Sequence, residues 1–166
     1  MVTDAGPDQI IRKIGEVRDL YHRLVLVVGL DGTGKTAALW MAGERLAAPY
    51  INLNLELSRR LLDLTERQRS LHVQELIEEI IAASGADLVL LDNIEILFDP
   101  KLQQDPLRCL QQLARHRTVV ATWGGTVENE GTPLAVLTYA TPGHAEHKRY
   151  SAKDLTVVTQ VMAPTA

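Results

Sequence analysis

The amino-acid sequence predicts an α/β protein: a mainly parallel, five-stranded sheet with helices on both faces. Three observations carry that prediction. LVLVV, Leu24 to Val28, is an unbroken run of β-formers, the pattern of a strand covered on both faces rather than on one. Segments with helical spacing alternate with such runs along the chain. The connections between them are short, which with that alternation argues for a mainly parallel, doubly covered sheet.

The elements follow in order. Ile10, Ile11, Ile14, Val17, Leu20 and Tyr21 recur at three- and four-residue spacings, predicting a helix over about 7–21 with one buried stripe. Leu24–Val28 is the first strand, ended by Gly29. TAALWMAGERLAA reads as a helix stopped by Pro49, and YINLNLEL alternates apolar and polar residues like a second strand. Val73, Leu76, Ile77, Ile80 and Ile81 form a further helical stripe, closed by Ser84-Gly85 before the strand DLVLLD. Asp105-Pro106 supplies a cap and first helical position for Leu107, Leu110 and Leu113. TVVATW, Thr118 to Trp123, is the fourth strand. PLAVLTYA, Pro133 to Ala140, is the fifth, entered through GGTVENEGTP and left through TPGH. LTVVTQV in the tail reads as either an edge strand or a partner-binding segment. A single domain over 1–166 is expected, with its core over 24–150 and a tail over 151–166, because no repeat, linker or low-complexity stretch divides it.

Composition narrows the function classes. With 46% hydrophobic and 23% charged residues the chain can bury an ordinary globular core. A net charge of -4 argues against strong nucleic-acid binding by the isolated subunit, so DNA contact is expected only indirectly or in a complex. The single cysteine, Cys109, excludes an internal disulfide and fits a reducing cytoplasm, as a core residue. No stretch reaches the roughly 18 apolar residues of a membrane span, and MVTDAGPDQ lacks a secretory pattern. A cytoplasmic location without membrane attachment is expected.

Between the first strand and the next helix lies GLDGTGKT, Gly29 to Thr36, which matches the Walker A pattern Gly-x4-Gly-Lys-Thr in the strand-loop-helix context that its chemistry needs. The glycines let the backbone turn tightly with its N–H groups inward, and the helix N-terminus adds partial positive charge for phosphates. The expected nucleotide-binding set is Gly29, Asp31, Gly32, Thr33, Gly34, Lys35, Thr36 and Ala37, with Lys35 reaching the β- and γ-phosphates. The expected fold class is a P-loop NTPase sheet, without a lid domain, and the expected cofactors are ATP and Mg²⁺.

The magnesium half of such a site needs a carboxylate, normally at the end of a hydrophobic strand beside the first, and LVLLD supplies Asp92. Thr36 and Asp92 are the expected metal-holding residues. The next position, where many P-loop ATPases carry a water-polarising glutamate, is Asn93. Glu95 is the nearest acid for that role, and Glu56 is the second candidate. Thr122, ending the fourth strand, reads as a β-branched strand residue or, by resemblance to AAA+ proteins, which carry a polar residue at that place, as a γ-phosphate sensor. Lys35, Glu95 and Thr122 form the expected catalytic set. No arginine lies between the fourth and fifth strands. Arg59, Arg60, Arg67, Arg69, Arg115 and Arg117 are all available to act on a neighbouring subunit's nucleotide, Arg115 and Arg117 being two examples, and most of the six read as solvated helix charges. His144 and His147 in PGHAEH read as a surface turn rather than a metal pair, and Trp40, Tyr50 and Trp123 are too scattered to suggest base stacking.

With Walker A, DNIE, ATWGG and five strands in this order, the chain resembles the AAA+ and additional-strand P-loop ATPases reduced to their core, since only sixteen residues follow Tyr150 where a helical lid would begin. It resembles more closely the BrxF family, the small P-loop proteins of BREX bacteriophage-exclusion systems. GLDGTGKTAAL, INLNLELSRRLLDLTERQR, VLLDNIEILF, VVATWGG and LTYATPGH carry that resemblance, across most of Asp8 to Tyr150. It implies a bacterial cytoplasmic defence component acting with other BREX-type proteins, among them a DNA methyltransferase and larger ATPases.

The leading expectation is a Mg-ATP-binding subunit, a homo-oligomer or a member of a larger assembly, with weak or partner-stimulated hydrolysis. The alternatives are a non-hydrolysing nucleotide-binding interaction module, which Asn93 and the missing arginine favour, and a small-molecule kinase, which the absence of an arginine-rich lid disfavours. A GTPase is disfavoured because no Asn-Lys-x-Asp segment is present.

Overall fold

The computed structural model describes residues 5–160. Its strands are β1 (Leu24–Gly29), β2 (Tyr50–Asn52), β3 (Leu88–Asp92), β4 (Thr118–Glu128), β5 (Val136–Tyr139), β6 (Lys148–Ser151) and β7 (Thr156–Thr159), and its helices are α1 (Ala5–Glu16), α2 (Lys35–Leu46), α3 (Leu53–Leu61), α4 (Glu66–Ala82) and α5 (Pro106–Leu113). Five strands form a parallel sheet in the order β2-β3-β4-β1-β7. Two apolar layers sandwich it. Ile10 and Val17 with Ala38, Leu39 and Ala42 cover Val25, Val27, Leu90 and Val120 from one side. Leu57, Ile77, Ile81, Leu110 and Leu113 cover Leu26, Leu91, Val119 and Ala121 from the other. The predicted α/β architecture, with helices on both faces of a mainly parallel sheet, is the architecture observed.

Its fifth parallel strand is not the expected one. β4 runs on through Gly124 and Gly125, and its outer half pairs antiparallel with β5, which pairs in turn with β6. The connection explains the direction: Asn129 (φ 54°) and Gly131 (φ 80°) reverse the chain within a few residues, and so short a link can join only antiparallel strands. Gly125 is required there, because an ideal Cβ would lie 1.7 Å from the Thr138 carbonyl oxygen. The vacant place in the parallel sheet is filled by β7, so the tail is an edge strand, in register Val25↔Thr156 to Val28↔Thr159 against β1. Val161 onward, the end of the expected tail, lies outside the described residues.

YINLNLEL is the second departure. Only Tyr50–Asn52 is strand. Asn52 then caps α3 by accepting the Leu55 N–H at 3.1 Å, and Leu53, Leu57 and Leu61 are buried at four-residue spacing while Leu55 is 46% exposed. Leucines at alternate positions fit a strand as well as one stripe of a helix, and the cap decided between them. α1 also stops at Glu16, short of the expected 21, and leaves Leu20 and Tyr21 exposed in the turns that follow. The Thr65 cap of α4, with its reciprocal Gln68 bond, and the Asp105 cap of α5 fix the helices on the second face. Cys109 is buried in that core, and burial followed by the charge of Asp105 pushes its thiol up to about 11. Among the described residues no helix is long and apolar enough to cross a membrane.

The α3 assignment makes a measurable prediction. Leu57→Ala should lose about 2–5 kcal/mol in urea unfolding, whereas Leu55→Ala should stay within about 0.5 kcal/mol of the parent. A strand would place both leucines on one face, so equal losses would contradict the helix.

Candidate functional site

The loop from Gly29 to Gly34 leaves the C-terminal end of β1 and turns into α2. Gly32 (φ 82°) and Gly34 (φ 84°) occupy the left-handed region, where a side chain costs about 1–2 kcal/mol. Gly34 is the N-cap of α2, with no side-chain cap, and the helix ladder begins with Ala38 N–H donating to the Gly34 carbonyl at 3.0 Å. The N–H groups of the turn before it have no ladder partner, and they stand at the positive end of the helix. Gly29 has a different constraint: its Cβ would meet Thr33 Oγ1 at 2.3 Å and the Gln160 carbonyl oxygen at 2.8 Å. β7 therefore closes against the root of the loop.

Asp92 ends β3 and is 2% exposed. Its Oδ2 accepts Thr36 Oγ1 at 2.8 Å and the Tyr50 hydroxyl at 2.5 Å, and its Oδ1 accepts Thr122 Oγ1 at 2.6 Å and the Asn93 N–H at 2.9 Å. Burial pushes the carboxyl up, but the bonds from Thr122, Tyr50, Thr36 and Asn93 outweigh it and hold the pKa below the usual aspartate value. The group is thus a buried carboxylate that its hydrogen-bond donors keep ionised. Tyr50 is affected in the opposite sense: burial, then its bond to Asp92 and the charge of Asp92, push the phenol well above its ordinary value.

The strand carrying Asp92 is not beside β1, where the sequence reading places it. β4 lies between them, and its Thr122 spans the gap to Asp92 while Thr36 reaches over from the first turn of α2. Asn93 (φ 55°, ψ 54°) adopts the left-handed turn that Asn tolerates better than most residues, and its carbonyl accepts the Asn54 N–H at 3.1 Å. The chain is then set into a short 3₁₀ helix, Ile94–Phe98, that carries Glu95.

A cleft of about 260 Å³ is lined by Asp31, Gly32, Gly34, Lys35, Thr36, Ala37, Asp92, Asn93, Glu95 and Thr122. Most of the sequence-predicted residues meet here. Gly29 and Thr33 instead line a groove of about 400 Å³ on the other side of the loop, with Gly125, Thr159 and Gln160. Lys35 Nζ and Thr33 Oγ1 both donate to the Leu30 carbonyl, at 3.0 and 2.7 Å. Glu95 is exposed at the cleft, and its 3₁₀ helix is anchored by Phe98, which stacks on Tyr139 (centroids 3.3 Å, 6° between planes) with Trp123 packed edge-on against both rings. Burial, then the charges of Glu95, Glu146 and Asp31, push the Tyr139 phenol up.

Several candidates lie elsewhere. Glu56 is on α3, not on a strand, and pairs with Arg60 at 3.2 Å and Arg59 at 3.7 Å. Arg115 lies over the Tyr21 ring at 4.9 Å, and Arg117 pairs with Glu78 at 2.9 Å. Both arginines precede β4, at the opposite end of the sheet from Thr122. His147 meets the Tyr139 carbonyl and His144 accepts the Glu146 N–H, each at 3.0 Å. Tyr50 is the residue that sequence reasoning missed at this site. The parallel register Asn52↔Asp92 is what brings β2 alongside, and no motif signals it.

The donor set suits a hard divalent cation. A threonine hydroxyl and an ionised carboxylate are oxygen ligands of the kind magnesium takes along with phosphates and water, and the helix N-terminus beside them suits an anion.

Asp92 also makes the stability of the fold depend on pH. Because its folded pKa is depressed, its contribution is fully present above the ordinary aspartate value, about 3.9, and is lost as pH falls through the lower folded value. The difference in unfolding free energy between the parent and Asp92→Asn should therefore be constant near neutrality and shrink in acid, measured by urea unfolding at each pH. A difference that grows in acid would contradict this assignment.

No protein-family model matches the chain, and no curated protein does. Among solved structures, the chain is similar to one titled "Structure of C. elegans PCH-2", at 16% identity and a TM-score of 0.36. The match covers 77% of this chain and 36% of that one, so the chain spans about a third of the length of that structure.

Proposed function

We propose that the chain is a Mg-ATP-binding P-loop protein with weak or partner-stimulated ATPase activity. The observation that carries this reading is the hydrogen-bonded line Thr36–Asp92–Thr122, which joins the loop helix, the acidic strand and the strand between them at one cleft. In this reading the first-turn N–H groups of α2 and Lys35 bind the phosphates, with Lys35 giving up the Leu30 carbonyl to do so. Thr36 and Asp92 hold the cation, which when bound would neutralise charge on the phosphate oxygens. Glu95, which lines the same cleft, would orient water and accept its proton, and Thr122, which lines it too, fixes Asp92 and would sense a bound γ-phosphate.

The place of the protein in a phage-defence assembly of BREX type, alongside other defence proteins in the bacterial cytoplasm, rests on the resemblance of GLDGTGKTAAL, VLLDNIEILF and the other quoted segments. A second reading, a nucleotide-binding interaction module that does not hydrolyse, is favoured by one observation: the residue following Asp92 is an asparagine, which can orient water but cannot accept its proton.

Lys35→Ala should abolish binding of a fluorescent ATP analogue while leaving the thermal unfolding curve unchanged, since the lysine makes an exposed contact with its own loop. Unaltered affinity in the folded variant would sink the P-loop reading. Glu95→Gln should keep binding and slow single-turnover hydrolysis by about 10² to 10⁴. If Glu56→Gln slows it instead, the base belongs to α3.

Turnover per subunit should rise with protein concentration or with added partner proteins, because an arginine supplied from a neighbour is worth about 10³ to 10⁵ in rate in other NTPases. Fast turnover by a dilute monomer would refute partner stimulation.

A further inference from the structure

A carboxylate offers about four lone-pair sites, and all four on Asp92 are taken, by Thr36, Tyr50, Thr122 and the Asn93 N–H. A cation held beside Thr36 brings its own water, and that water needs an acceptor site on Asp92. One donor must therefore yield. The Asn93 N–H is fixed by its neighbouring position and by the bond its carbonyl receives from Asn54. Thr122 is 2% exposed and flanked by strands on both sides. Thr36 is the other metal-holding residue. Tyr50 differs from all three. It lies on β2, the outer strand of the sheet, and is only half-buried. Its ring packs edge-on against Trp40 at 5.2 Å between centroids, and Trp40 is 51% exposed.

We propose that Tyr50 is a place-holder on the metal carboxylate: its hydroxyl satisfies Asp92 Oδ2 while no cation is present and swings off it when Mg-ATP binds. Trp40 reports the movement. The inference rests on the P-loop reading above and adds to it a positioning residue that couples the interior of the site to a surface aromatic. The arrangement has a physical rationale. A buried carboxylate without enough donors takes up a proton or destabilises the fold. A neutral phenol keeps Asp92 ionised and aimed, yet once released it can be solvated at the surface beside Trp40. Magnesium must then compete with a charge-assisted hydrogen bond, so the site requires more free Mg²⁺ than it would with an empty Oδ2 position.

Magnesium titrations of the full chain, with ATP present and followed by calorimetry, test this. Tyr50→Phe keeps the ring and removes only the competing hydroxyl. It should lower the half-saturating Mg²⁺ concentration about tenfold, the order expected for a lost hydrogen bond to a charged group, and leave ATP affinity in excess chelator unchanged. An unchanged or higher midpoint would overturn the place-holder. A second measurement does not depend on that variant. Tryptophan emission of the parent should change on Mg-ATP addition and not on ATP with chelator, and the change should fall in Trp40→Phe, which leaves only Trp123. Emission that is silent to magnesium, or a change of the same size in Trp40→Phe, would overturn the movement. A parent chain that binds no ATP removes the P-loop reading and this one together, whereas a parent that binds ATP with an unshifted Tyr50→Phe midpoint removes only the role of Tyr50.

Discussion

The site depends on one electrostatic constraint: an aspartate that is 2% exposed has to stay ionised. Left alone there, the Asp92 carboxylate would be expensive enough to neutralise itself or disrupt the strand end. Four hydrogen bonds prevent this, and each donor belongs to a different piece of the chain: the first turn of α2, the outer strand β2, the inserted strand β4, and the backbone turn after β3. Satisfying one buried charge therefore fixes the relative positions of four elements. The same donors hold the carboxylate in one orientation, the preorganisation that a metal ligand would need, although they also occupy its acceptor sites.

Sheet order makes this geometry available. With β4 between β1 and β3, the glycine loop and the acidic strand end do not touch through neighbouring backbones. They communicate through side chains that cross β4: Thr122 from within it and Thr36 over it. β4 then continues through Gly124 and Gly125 into the antiparallel hairpin with β5 and β6. The stacked rings of Phe98 and Tyr139 tie that hairpin to the 3₁₀ helix carrying Glu95. The Asp92 side and the Glu95 side of the cleft are thus supported differently, the first by the parallel sheet and the second by the aromatic packing under the hairpin.

Much of this was written in local sequence. LVLVV followed by GLDGTGKT identifies a strand, a loop and a helix start because each needs particular residues at particular positions, and LVLLD marks its own end with an acid. The cap at Asp105 was visible for the same reason, and Ser84-Gly85 marks the turn just beyond the actual C-cap of α4, Ala83. What could not be read depends on long-range pairing. LNLEL has leucines at every second position, a pattern shared by a strand and by a helix whose Leu55 points outward, and only the Asn52 cap distinguishes them. PLAVLTYA is a strand in any reading, but its direction is set by a tight turn at Asn129 to Thr132, and its exclusion from the parallel sheet by the better-placed TVVT. Tyr50 carries no motif at all, and its role exists only because Asn52 registers with Asp92.

The pairing of β7 with β1 has a consequence for how the protein comes into being. The loop that begins at Gly29 has the Gln160 carbonyl at its root, and the Gln160 N–H donates to the Val28 carbonyl at 2.7 Å. Residues about 130 positions apart must therefore meet before the end of β1 acquires its finished surroundings. On a ribosome, the segment that reads as a phosphate loop emerges early and waits, with both edges of its strand open until β4 is made and one edge still open until β7 follows. Ordering such distant partners is slow, so this corner of the molecule is among the last to mature. A nascent chain halted before Thr156 would carry the whole glycine motif on a strand still missing its outer neighbour.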